Sequence, residues 1–62
     1  MSKFYGITLM NISIINDKKG EHKKALAQLE QVKEIFLKTI GKDTLNYANL
    51  LFNMGRVYSK LG

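Results

Sequence analysis

Nothing in this chain can close a disulfide or offer a thiolate to a metal, because it contains no cysteine. With one histidine and only five acidic residues, scattered along the sequence, it also lacks the donors for a zinc or iron site. Proline and tryptophan are missing as well. Without proline, the breaks between structural elements fall to glycine, at positions 6, 20, 41, 55 and 62. Acidic charge is scarce: ten Lys+Arg face five Asp+Glu, giving a formal net charge of +5 and a pI near 9.7. Such a balance favours acidic partners, although lysine-rich solvated helix faces serve solubility equally well. A long hydrophobic run is lacking too. Asn11 and Ser13 interrupt FYGITLMNISII, which is shorter than the roughly 18 residues of a membrane helix. No small-x-small cleavage site follows it, so neither a leader nor membrane association is expected, and a cytoplasmic location is. At 62 residues the chain buries only about 60% of its unfolded surface, which makes its core marginal without a partner. A homo-oligomer or a subunit of a larger assembly is therefore expected.

What is present is helical periodicity. Between Glu21 and Ile40, the residues Ala25, Leu29, Val32, Phe36 and Ile40 form one stripe, widened by Leu26 and Ile35. Lys23, Lys24, Gln31, Glu34 and Lys38 take the other side, and Glu21 and Lys38 match the helix macrodipole. A third block starts at Asp43 or Thr44, either a good N-cap, and carries Tyr47, Leu51, Met54, Tyr58 and Leu61 at helical spacing. The first block is ambiguous by itself. Its β-branched Ile12, Ile14 and Ile15 fit a buried strand as well as a helix.

Internal repetition decides between the two. A shift of 42 residues places Tyr5 on Tyr47, Leu9 on Leu51, Asn11 on Asn53, Lys18 on Lys60 and Gly20 on Gly62. Ile12 then meets Met54, Ile15 meets Val57 and Ser13 meets Gly55. The first block is therefore read as the same kind of helix as the third, and a fixed period of this size marks a solenoid array.

Asn53-Met54-Gly55, then Tyr58, then Leu61-Gly62, resembles the first helix of a tetratricopeptide repeat (TPR). Gly20-Glu21-His22-Lys23-Lys24-Ala25 with Leu29 and Val32 resembles the turn and second helix. The link Ile40-Gly41-Lys42-Asp43-Thr44, with Tyr47-Ala48 and Leu50-Leu51, looks like the longer variety found in kinesin light chains, which lacks the terminating proline. Asn16 and His22 depart from the pattern, which prefers Tyr and an aromatic there. The resemblance implies an all-α fold: a helix-turn-helix α-solenoid unit of about one and a half repeats, three antiparallel helices in a single unit spanning 1–62. Helix A would cover 4–19, helix B 21–40 and helix A′ 44–61, the unit reading as a fragment or incomplete array. It also implies that the small residues Gly55, Ser13 and Ala25 allow paired helices to approach closely.

Chemistry finds little foothold. His22 has no Ser or Cys nucleophile at usable spacing and reads as a solvated or packing residue. Glu30 and Glu34, with Lys33 and Lys38 nearby, suit surface ion pairing. Gly41-Lys42-Asp43-Thr44 lacks the spacing of a phosphate loop. No catalytic residue, metal ligand or cofactor is expected. The resemblance instead implies a non-catalytic protein–protein interaction or scaffold module whose first helices line a peptide groove. Asn11 and Asn53 match asparagines that hydrogen-bond a peptide backbone in that family. An amide suits this because it both donates and accepts. Asn49, Arg56 and Lys60 share the face of Asn53, and Lys18 is the earlier equivalent of Lys60. That set would favour an acidic peptide or a terminal carboxylate. Leu51, Met54, Tyr58 and Leu61 are expected to face a helix that follows, and to mediate partner binding or self-association in its place. The alternative is a small basic three-helix domain that binds nucleic acid. Against it, the lysines spread over all three blocks and arginine occurs once.

Overall fold

In the computed structural model, which describes residues 2–62, Ser2 opens the first helix, its hydroxyl accepting the Phe4 N–H at 3.0 Å. That helix, α1, runs Lys3–Lys18. The segment with strand-like composition is thus helical throughout. Gly20, at φ +90°, stops it: its N–H reaches the Asp17 carbonyl at 3.0 Å and the Glu21 N–H reaches the Asn16 carbonyl at 2.9 Å. This paired closure needs a left-handed residue, a conformation that costs any side chain with a Cβ. The second helix, α2, spans His22–Thr39 and ends similarly, with Gly41 at φ +77° donating to the Phe36 carbonyl at 2.7 Å. Thr44 starts the third helix, α3, Leu45–Leu61, by accepting the Tyr47 N–H at 3.2 Å.

The turns are short, so consecutive helices fold back on each other. Three contacts fix their directions. Gly6, near the start of α1, lies against Phe36 near the end of α2. Asn16, near the end of α1, donates to Gln28 in the first half of α2 at 2.8 Å. Asp17 and Lys60 meet, so α1 and α3 run parallel to each other and antiparallel to α2. The helix α2 lies between the other two, which touch one another far less.

The core follows from that placement. Ala25, Leu29, Val32, Ile35 and Phe36 of α2 are buried, with Leu9 and Met10 on one side and Tyr47, Leu50, Met54 and Val57 on the other. Ser13 and Ala25 are both fully covered, as expected of small residues where two helices approach closely. The 42-residue shift then exposes an asymmetry. α1 buries Leu9, Met10 and Ser13, but the equivalent Leu51, Phe52 and Gly55 of α3 are exposed. α3 buries Tyr47, Leu50, Met54 and Val57, but the equivalent Tyr5, Thr8, Ile12 and Ile15 of α1 are exposed. The repeated helix therefore uses one side in its first copy and a different side in its second.

Candidate functional site: two faces of the third helix

The exposed surface of α3 carries a polar row and an apolar row. Asn49, Asn53 and Arg56 are separated by four and three residues, so they project on one side of the helix. Asn49 and Arg56 are exposed, and Asn53 is half-buried. The Asn53 side-chain amide donates to the backbone carbonyl of Asn49 at 2.9 Å, which leaves its side-chain carbonyl to accept from elsewhere. Arg56 sits 6.0 Å from the centroid of the Phe52 ring, within range of a weak cation–π attraction. On α1, Asn11 and Lys18 are exposed at the equivalent register.

Lys60 is engaged inside the molecule. Its Nζ donates to Asp17 Oδ2 at 2.6 Å, while Asp17 Oδ1 lies 2.6 Å from His22 Nδ1. The Asp17 carboxylate is almost wholly covered, and it ties the ends of α1 and α3 to the start of α2. The hydrogen bond from Lys60 holds its pKa below the usual value; burial opposes this, and the bond to His22 reinforces it. Sequence reasoning did not find Asp17. Its partner lies 43 residues away, and no local pattern announces such a pair. His22 is accordingly one wall of this cluster and half-buried, not a freely solvated side chain. The surface pairing expected of Glu30 and Glu34 does not occur: among the described residues the acidic groups in ion pairs are Asp17 and Glu21.

The apolar row has a different membership from that expected. Leu51, Tyr58 and Leu61 are 49%, 51% and 40% exposed. Met54 is instead buried in the core, a correction to its expected place on the open side. Its spacing explains this, since Met54 lies four residues after Leu50 and three before Val57, both of which pack on α2. Phe52, 66% exposed, joins the open row in its place. The signal for Phe52 was available, because the 42-residue shift pairs it with Met10. Leu51, Phe52, Gly55, Arg56, Ser59 and Lys60 line one shallow groove. A second depression lies between α3 and α2, with Met54 and Tyr58 on one wall and Ala27, Glu30 and Glu34 on the other.

Among the described residues no three His, Cys, Asp or Glu side chains converge as a metal site, and no helix is long and apolar enough to cross a membrane. Paired helices offering side-chain rows as contact surfaces define a class, the helical-repeat interaction modules. Within it, the chain belongs to the tetratricopeptide repeat family, whose model matches residues 5–62. Repeats of this family are in general non-catalytic and bind protein partners. Comparison with curated proteins and with solved structures found no match.

Proposed function

We propose that this chain is a cytoplasmic, non-catalytic protein–protein interaction or scaffold module of the longer, kinesin-light-chain-like variety. It binds an acidic peptide along Asn11, Lys18, Asn49, Asn53 and Arg56, and it self-associates through the uncovered side of α3. The observation that carries this reading is the juxtaposition on one helix of the row Asn49, Asn53 and Arg56 with the exposed row Leu51, Tyr58 and Leu61. Amides and a guanidinium suit a peptide backbone and its carboxylates. Burying one large apolar side chain is worth roughly 1.5–3 kcal/mol, so an open row of three or four favours association. Lys60 joins the peptide site only by leaving Asp17, which makes Arg56 the principal cation there.

Sedimentation across a concentration series tests the self-association. Concentration-dependent dimers or larger species, lost in Leu51→Asp, are expected. A fully helical monomer at every concentration overturns it. For the peptide site, Asn53→Ala together with Arg56→Ala should weaken an acidic peptide's binding, and equal binding by the variant removes the site. A nucleic acid whose affinity fell steeply with salt would favour the basic three-helix alternative instead.

A further inference from the structure

Three helix ends meet at one buried charge, and the two donors that hold it are not equivalent. Asp17, its side chain 5% exposed, takes Lys60 on one carboxylate oxygen and His22 on the other, each at 2.6 Å. A carboxylate only accepts, so neutral His22 places its hydrogen on Nδ1, and the lone pair left for a further proton is on Nε2. Lys60 brings a full positive charge, whereas neutral His22 brings a hydrogen bond and no charge. The Lys60 bond accordingly does most to hold the Asp17 carboxyl below its usual range, ahead of the bond to His22. A buried carboxylate without a compensating cation is costly, so the state with neutral His22 needs Lys60 in place.

Protonation of His22 removes that need. The imidazolium keeps its hydrogen bond and adds a charge beside the other oxygen, so Asp17 is compensated twice. The surroundings are already cationic. Lys18 and Lys19 at the end of α1, and Lys23 and Lys24 at the start of α2, are all exposed, and the acid among them, Glu21, lies 3.8 Å from Lys19. A further positive charge there repels the cation freest to leave. That cation is Lys60. Its side chain is 38% exposed and ends a flexible four-carbon stem, while His22, 28% exposed, is held close by the first turn of α2.

We propose that His22 and Lys60 form a proton-operated exchange on Asp17: proton uptake by His22 releases Lys60 from the carboxylate, and loss of that proton recaptures it. Lys60 lies four residues after Arg56, so once released it joins the row of Asn53 and Arg56 as a second cation. That delivery rests on the peptide-site reading and regulates the site, which holds an acidic peptide more tightly in mildly acid solution. The exchange itself rests only on the three side chains at Asp17.

Urea unfolding of the full chain, with and without Lys60→Met, reads the exchange. The loss in midpoint caused by Lys60→Met at about pH 7.5 should shrink by about half or more at about pH 5.5, a span across which histidine changes charge. In a His22→Asn background, which keeps a neutral donor and cannot take the proton, the loss should be the same at both pH values. Should Lys60→Met leave the chain unfolded, the parent suffices. The NMR signals of Lys60 Cε and its hydrogens should move towards those of exposed Lys42 as the His22 ring titrates, and stay fixed in His22→Asn. An equal Lys60→Met loss at both pH values with His22 present, or Lys60 signals that ignore the His22 titration, overturns the proposal. Binding of an oligoglutamate peptide separates the exchange from the peptide site. A rise in affinity of about twofold to fivefold on acidification, absent in Lys60→Met, is expected. A rise that survives Lys60→Met overturns the delivery of Lys60. No binding at either pH, with the unfolding and NMR results as expected, sinks the peptide site and leaves the exchange standing.

Discussion

The close approach of α1 and α2 makes one substitution change sign between two glycines. Gly6→Ala places a methyl 2.8 Å from Phe36 Cε1, 3.0 Å from Ile35 Cγ2 and 3.1 Å from Phe36 Cδ1. Contact at that distance requires Phe36 or Ile35 to move, and both are buried in the core, 0% and 3% exposed. Overpacking of this kind costs about 1–3 kcal/mol. Replacing glycine by alanine inside a helix returns up to about 1 kcal/mol, and less in the first turn, where Gly6 lies. The net effect is a loss of about 1–2 kcal/mol, or roughly 4–8 °C in Tm for each kcal/mol in a chain of this size. Gly55→Ala gains the same helical preference with nothing within 4 Å to oppose it, so it should raise stability by about 1 kcal/mol. Thermal unfolding by far-UV circular dichroism at low protein concentration reads both. Stabilisation by both substitutions to a similar degree would refute the claim that α1 and α2 touch backbone-to-ring at Gly6.

Three other outcomes are expected. Asp17→Asn should destabilise the chain at neutral pH, and the gap from the parent should narrow on acidification. The folded carboxylate titrates below its unfolded value of about 3.9, so its contribution is complete above that pH and lost as pH falls through the lowered pKa. A gap in denaturant midpoint that stays constant down to about pH 2 would show that Asp17 acts only by packing. Thr44→Ala should cost about 1 kcal/mol by removing the cap on the Tyr47 N–H, and Thr44→Ser should restore most of it in urea melts. Phe52→Asp should leave the melting temperature within a few degrees of the parent while reducing any concentration-dependent mass in sedimentation, because Phe52 contributes nothing to the buried core.

Much of the fold was legible because punctuation and period agree. Gly20 and Gly41 fall where helices must close through a left-handed residue, and Thr44 falls where one must open. The strand-like isoleucines of α1 were resolved by the 42-residue register, since a helix repeated in kind overrides a local β preference. The site was less legible for a physical reason. A helix carrying apolar residues on more than one side does not reveal which side is covered, and spacing alone placed Met54 on the open side with Leu51 and Tyr58. Only the packed arrangement assigns Met54 to α2 and leaves Phe52 in solvent. The Asp17–Lys60 pair was invisible on similar grounds, because it depends on two parallel helices ending at the same level.

The central position of α2 has a consequence for how the molecule comes apart. Two hairpins share that helix, so either outer helix can peel away and leave the other hairpin packed, with the Asp17–Lys60 bond as the tie between α1 and α3 to be broken. Amides of Ala25 to Phe36 should then exchange with solvent last, through events that dismantle both hairpins, while α1 and α3 fray on separate clocks.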